Sequence, residues 1–166
     1  MSVITWTDLR DGDAVGSFLR THGPAPFNHL TDSGIDAQRR RIAAGVLECT
    51  AGLVDGEVVA LATVSQFSAA ALTGTPYLRL SGHYIEEVAV HAGHRGRGVG
   101  VGLLRQVVDR YRQPVDIYID CDERNTACAR MIVKAGFSQV SRYRDADRGP
   151  AGTARQTLLF RFREQA

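Results

Sequence analysis

The chain predicts an α/β fold: a mixed, mostly antiparallel sheet with helices on both faces. Three observations carry that prediction. Strand-like and helix-like stretches follow each other as a β-rich N-terminal half and then β-α-β-α-β-β. Within the second part, a strand over 84–91, a helix over 99–111 and a strand over 115–120 make a right-handed crossover unit, so those two strands are parallel neighbours. Between the first strand and the helix lies the glycine-rich run His94-Arg95-Gly96-Arg97-Gly98-Val99-Gly100-Val101. It falls at the carboxyl end of the strands, where open α/β sheets take ligands.

The elements follow in order. Val3 to Trp6 reads as a first strand, and Asp11 or Asp13 caps a helix that turns Val15, Phe18 and Leu19 inward. Gly23-Pro-Ala-Pro-Phe27 breaks the chain before a second helix from Ser33 to Ala44. Leu47 to Val54 and Glu57 to Phe67 are strands, joined by Asp55-Gly56, a type I′ hairpin signal. Ser68 to Pro76 reads as a loop and Tyr77 to His91 as one long strand. Val101, Leu104, Val108 and Tyr111 keep helical spacing until Pro114, after which Val115, Ile117 and Ile119 alternate as a strand. A helix opened by Asn125 follows, then strands at Gln139 to Arg144 and Thr157 to Phe162 around an Asp/Arg/Gly/Pro loop.

With 166 residues the chain suffices for one well-buried core and is too short for two ordinary domains, so residues 1–166 are expected to form one domain. Hydrophobic content of 44% with 23% charged residues is that of a soluble globular protein and argues against disorder. No run of 18 apolar residues exists, and Met1-Ser-Val-Ile-Thr-Trp lacks a charged start before an apolar core, so a cytoplasmic protein without a membrane partner is the expectation. The net charge of +2 gives no argument for nucleic acid, and Gln38-Arg-Arg-Arg41 reads as a solvated helix face. Cys49, Cys121 and Cys128 show neither metal-ligand nor paired spacing and read as reduced structural thiols. His91-x-x-His94 lacks further clustered ligands, so the pair reads as flanking a loop and no metal is expected.

The glycine-rich run is a phosphate cradle. Such a turn points several backbone N–H groups at one spot, and Gly98 and Gly100, lacking a Cβ, would let a ligand come close. A Walker-type loop needs Gly-Lys-Ser/Thr, and the only lysine is Lys134. A dinucleotide fingerprint needs a glycine at the sixth position, which is Val101 or Leu103 here. Arg95-x-x-Gly98-x-Gly100 after an apolar strand instead resembles the pyrophosphate motif of the GNAT superfamily of acyl-CoA-dependent N-acetyltransferases. A second stretch, Asn125-Thr-Ala-Cys-Ala-Arg-Met-Ile-Val-Lys134-Ala-Gly136-Phe137, is similar to that family's later signature. Physically it is an amphipathic helix capped by Asn125 and closed by Gly136. The two motifs and their intervening strand cover residues 84–144.

The resemblance implies a GNAT-like fold whose parallel pair splays, with the pantetheine arm of acetyl-CoA or another acyl-CoA slotting between the two strands. By position, the strand Val88-Ala89-Val90 receives that arm, with Val88 and Val90 as main-chain partners. Arg95, Gly96, Arg97, Gly98, Val99 and Gly100 take the pyrophosphate, with Val101 just inside the helix. Asn125, Cys128 and Met131 line the far wall, and Lys134 lies toward the nucleotide. Transfer to an amine needs a base, because an alkyl ammonium has a pKa near roughly 10. Strand alternation puts Tyr84, Glu86, Val88 and Val90 on one side, which makes Glu86 the expected base, directly or through water. Glu87 points to the other face unless a bulge resets the register. An N–H near Val88 is the natural oxyanion donor.

One position departs from the family pattern. Ile132 stands where the family often has a tyrosine that protonates the leaving thiolate, which leaves Tyr84, Cys128 or Tyr118 as substitutes. The expected activity is N-acetyl transfer from acetyl-CoA to a primary amine of a small molecule or a peptide N-terminus by direct attack. Another thioester or an aminoacyl-tRNA as donor, and a non-catalytic acyl-CoA-binding module, are the alternatives. The acceptor amine is the expected partner, nucleic acid enters only as a tRNA donor, and homodimerisation stays open.

Overall fold

The computed structural model describes residues 3–24, 26–28, 30–67, 81–111, 115–146 and 154–163. The Ser68–Pro76 loop, the 77–80 part of the long strand, Pro114 and the loop before the last strand lie outside these residues. Among the described residues, seven strands form one sheet in the order β1-β2-β3-β4-β5-β7-β6. They are β1 (Thr5–Asp8), β2 (Glu48–Val54), β3 (Glu57–Phe67), β4 (Gly82–Val90), β5 (Ile117–Asp122), β6 (Ser138–Asp145) and β7 (Arg155–Phe162). Four helices accompany them: α1 (Gly12–His22), α2 (Asp32–Ala43), α3 (Val99–Tyr111) and α4 (Thr126–Lys134). Every pairing is antiparallel except β4 with β5.

Local chemistry sets most of these boundaries. Asp11 is the cap of α1, its carboxylate accepting from the main-chain N–H of Asp13 at 2.9 Å and Ala14 at 3.0 Å. Thr31 caps α2, two residues before the expected start, through a 3.1 Å bond from Gly34 N. Asp55 and Gly56 both take positive φ, 51° and 85°, as a type I′ turn requires. The first strand is Thr5–Asp8, shifted from the expected Val3 to Trp6, because its pairing with β2 begins at Thr5↔Leu53. Apolar content alone does not reveal which residues find a ladder partner.

Two cores lie on opposite faces of the sheet. Val15 and Leu19 of α1 with Ile35 and Ile42 of α2 cover Leu61 and Ala89 on one face. Leu103, Leu104 and Val107 of α3 with Ile132 of α4 cover Ile85, Ile119 and Phe160 on the other. Each such fully buried aliphatic side chain stabilises the fold by about 1.5–3 kcal/mol. Among the described residues no helix is long and apolar enough to cross a membrane.

Two irregularities meet in β4. Its ladder with β5 holds only His83↔Ile117, Tyr84↔Tyr118 and Ile85↔Ile119, although both strands run on, so the pair splays beyond Ile85. Its ladder with β3 jumps from Thr63↔Glu87 to Val64↔Ile85, leaving Glu86 as the extra residue of a bulge.

Candidate active site

A cavity of about 520 Å³ fills the gap between the splayed strands and continues to the glycine-rich turn. That volume falls within the usual range for small-molecule sites. One wall is β4 from Ile85 to Val90, and the facing wall is the end of β5 with one side of α4. His91 N bonds Val59 O of β3 at 2.8 Å, so the alternating Val88 and Val90 turn their N–H and C=O away from β3 toward the cavity. An amide-bearing ligand can add there as a strand would. Ala89 places its side chain in the α1/α2 core and its main chain toward β3.

Beyond β4, a short 3-10 turn at Ala92–His94, capped by His91, leads into the cradle, so His91 precedes this turn and His94 is its last residue rather than flanking it. Gly96 and Gly98 have φ of 73° and 81°, and a Cβ built on either meets nothing within 4 Å. Packing therefore does not demand glycine at these positions. The left-handed backbone and the open space beside it do, which suits a bound phosphate. The first turn of α3, from Val99 through Val101, directs N–H groups at the same space.

Two cradle expectations need correction. Gly100 is not one of them: it lines the cavity with Gly96 and Gly98, and a Cβ there would also run into the flexible Met131 side chain. Arg97 is exposed and does not line the cavity. Arg95 does line it, yet its Nε donates to Val90 O at 2.9 Å and its Nη2 to His22 O at 3.1 Å. Arg95 thus fastens the end of α1 to the end of β4. Cations of the cavity wall also come from Arg130 and Lys134, and His94 lines it too. Burial, together with His91 and Arg95 nearby, holds the His22 imidazole below its usual pKa.

The far wall is built as the second motif suggests. Asn125 caps α4, its side-chain oxygen accepting from Cys128 N at 3.1 Å, and Asn125, Cys128, Met131 and Lys134 all line the cavity. Ile132 does not, being fully buried in the core beneath α4.

At the opposite end from the cradle, the alternation expected for β4 fails. The bulge puts Ile85 on the same face as Val88 and Val90, while Tyr84 packs with Tyr118, Tyr143 and Leu159. Glu86 lines the cavity and leans toward α2, where Arg41 grips both its oxygens at 2.7 and 2.8 Å and Gln38 Nε2 approaches to 3.3 Å. Glu87, next along the wall, accepts from Asn28 Nδ2 at 3.3 Å. Tyr84 lies behind the wall, its hydroxyl donating to Asp120 Oδ2 at 2.5 Å. Asp120 itself faces the cavity with Arg155, the two side chains 4% and 6% exposed and 3.3 Å apart. Tyr118, the third substitute acid, donates to Asp116 at 3.2 Å and does not line the cavity.

Several of these residues escape the sequence. The arginine tract is not a solvated face: Gln38 is buried, Arg41 holds Glu86 and Arg39 pairs with Asp13. Asp120 and Asp122 offered a signal, two carboxylates at the end of an otherwise apolar buried strand. Arg124 holds the Asp122 carboxyl below the usual range through hydrogen bonds at 2.7 and 3.0 Å.

Comparison with known proteins bears on this arrangement directly. The family model for the GNAT acetyltransferase family matches residues 6–137. No curated protein matches the chain in sequence. Among solved structures, an N-acetyltransferase from Staphylococcus aureus Mu50 superposes with a TM-score of 0.74 at 12% identity, covering 98% of each chain. The ribosomal-protein-S18-alanine N-acetyltransferase from Escherichia coli gives 0.67 at 13% identity, over 100% of this chain and 97% of that one. The yncA protein from Salmonella typhimurium, solved with its cofactor acetyl-CoA, gives 0.67 at 18%, over 98% of this chain and 96% of that one. A splayed parallel pair, a left-handed glycine turn and a family match over most of the chain agree, and the chain belongs to the GNAT acetyltransferase family.

Proposed function

We propose that this chain transfers an acetyl group from acetyl-CoA to a primary amine of a small molecule or peptide N-terminus, by direct attack within the cavity between β4 and β5. The observation that carries this reading is the continuity of the strand gap with the glycine cradle in one cavity. Acyl-CoA, when bound, supplies an activated thioester. The E. coli structural neighbour acts on a protein alanine, which supports an amine acceptor as the class.

The residues would divide the work as follows. Val88 and Val90 hold the pantetheine amides through their main chains, and Gly96, Gly98 and the N–H groups of Val99 to Val101 hold the pyrophosphate. Asn125, Cys128, Met131 and Lys134 close the opposite side. The N–H of Val88 would donate to the thioester oxygen as charge develops on it. For the proton of the attacking amine, alternation along the strand favours Glu86. The bulge and Arg41's bidentate hold favour Glu87, because three of the acceptor positions of Glu86 are already taken by Arg41 and Gln38. We assign Glu87 as the acceptor and Glu86 as the residue that fixes the bulge. Tyr84 acts through Asp120, orienting it toward the cavity, and the thiolate leaves without a tyrosine at position 132.

Calorimetry with acetyl-CoA, followed by acetyl transfer to a panel of amines and N-terminal peptides, tests this reading. Micromolar binding with transfer to at least one amine supports it. Binding without transfer to any amine would favour the binding-module alternative, and no binding would remove the site.

A further inference from the structure

Glu86, Asp120 and Asp122 all line the cavity, and each faces an arginine. Two of these pairs are closed. Arg41 takes both oxygens of Glu86 at 2.7 and 2.8 Å, and Arg124 takes both of Asp122 at 3.0 and 2.7 Å. The third pair is open. Arg155 Nη2 meets Oδ1 of Asp120 at 3.3 Å, while the Tyr84 hydroxyl holds Oδ2 at 2.5 Å. The Nε of Arg155 donates to Thr157 Oγ1 at 3.0 Å, so neither bond engages Nη1. Of the three arginines, Arg155 alone lines the cavity, and its side chain is 6% exposed. A guanidinium carries its N–H donors in a planar fork, and leaving some of them buried without an acceptor is costly.

The sheet places this open fork where the gap begins. The last β4–β5 pair is Ile85↔Ile119, so Asp120 is the first residue of β5 past the point where the strands part. Ile119 and Phe160 belong to the α3 core, so their neighbours Asp120 and Leu159 face the other side of the sheet. By alternation, Thr157 and Arg155 of β7 share that side with Leu159. Glu87 shares it too, two residues before Ala89 of the α1/α2 core. The proton acceptor assigned above and the open guanidinium thus stand on one face of the sheet, on either side of the gap.

We propose that Arg155 is the acceptor-recognition residue of this site and that it binds a carboxylate, so the acceptor is an amine that also carries a carboxylate group. This deepens the acyl-transfer reading and rests on it for the amine. The planar fork suits a carboxylate, and Nη1 supplies donors for it. Asp120 and Thr157 fix the guanidinium before any acceptor arrives. Tyr84 is a positioning residue: by holding Oδ2 it keeps Asp120 from closing on Arg155 as Glu86 and Asp122 close on their arginines. The carboxylate of a free amino acid and that of an acidic residue beside a peptide N-terminus offer the same chemistry.

The test begins with calorimetry on protein saturated with CoA, which has no acetyl group to transfer. Each common α-amino acid is titrated beside its carboxamide. Amidated dipeptides with aspartate or asparagine in second place distinguish a peptide carboxylate from a free one. At least one acid should bind tighter than its neutral counterpart by about tenfold or more. Steady-state transfer from acetyl-CoA should show the same preference in KM, with kcat changed less. Arg155→Lys keeps the charge but loses the fork, and should remove most of that preference. Tyr84→Phe lets Asp120 close on Arg155 and should weaken the preference too, which keeps the test open if Arg155→Lys does not fold. Equal binding of acids and their neutral counterparts, or a preference that a folded variant retains in full, would overturn the proposal. Preferential binding of an acid with no transfer to any acceptor would uphold the carboxylate site and count against the acyl-transfer reading instead.

Discussion

Glu86→Gln separates two roles that the wall of β4 could give its carboxylates. Glu86 is 18% exposed and held at both oxygens by Arg41, itself 38% exposed, with Gln38 as a third donor. Glutamine keeps the shape but offers Arg41 one acceptor and turns an N–H toward a cation. Hydrogen bonds to charged groups contribute about 1.5–3 kcal/mol, and the solvent around Arg41 screens part of that, so a loss of about 1–2 kcal/mol is expected. For a chain of this size, 1 kcal/mol moves Tm by roughly 2–4 °C, giving a fall of about 2–8 °C. Arg41→Ala and the double variant complete a cycle. Their non-additivity should account for most of the loss if the pair is the cause. In steady-state acetyl transfer at pH 7.5 and above, Glu86→Gln should keep kcat within about tenfold, while Glu87→Gln should lose on the order of 10²–10⁴. A collapse of kcat in Glu86→Gln with Glu87→Gln near wild type would refute the assignment and return the proton to Glu86.

Gly98→Val forces a branched residue into left-handed backbone at a cost of about 1–2 kcal/mol and places its Cβ in the open cradle. Acetyl-CoA Kd by calorimetry should rise more than tenfold, by roughly 1.4 kcal/mol or more, while the protein stays folded, and an unchanged Kd would dismiss the cradle. Ile132→Tyr, aimed at restoring the family's tyrosine, overfills a site with no exposed surface. It should cost about 1–3 kcal/mol in urea unfolding without raising kcat, and a higher kcat would show that the thiolate needs that acid. Asp122 has its carboxyl held below the ordinary value of 3.8 by Arg124, so its contribution to stability is full above that value and is lost as pH falls below it. Asp122→Asn should be less stable than wild type at neutral pH, with the gap closing on acidification toward about pH 3. A gap independent of pH would mean that packing, not charge, holds that corner.

Where the sequence was legible, one local pattern dominated. The helix at Val99–Tyr111 and the strand at Glu57–Phe67 fall as expected because periodicity and an Asp-Gly turn bound them without help from elsewhere. The parallel pairing of β4 and β5 follows from chain connectivity alone. The residues that were misread depend on partners distant in sequence. Arg41 meets Glu86 across 45 positions, so nothing within the tract Gln38 to Arg41 distinguishes a buried anchor from a solvated face.

The failed alternation along β4 has the same origin as the cavity itself. The last β4–β5 pair is Ile85↔Ile119, and the next residue of β4 is the bulged Glu86. A bulge bends its strand and increases the local twist, so the bend falls where β4 leaves β5. What holds that bend is Arg41, which draws the extra residue toward α2 on the opposite side of the sheet from α3. The same step lets Glu87 enter the wall and leaves Val88 and Val90 with main-chain groups facing the gap. Two adjacent glutamates inside an otherwise apolar strand thus mark the site in the sequence. A regular β4 would bury one carboxylate against α3 with no cation to meet it, and the bulge avoids that cost by pairing Glu86 with Arg41 while both glutamates stay along the cavity wall.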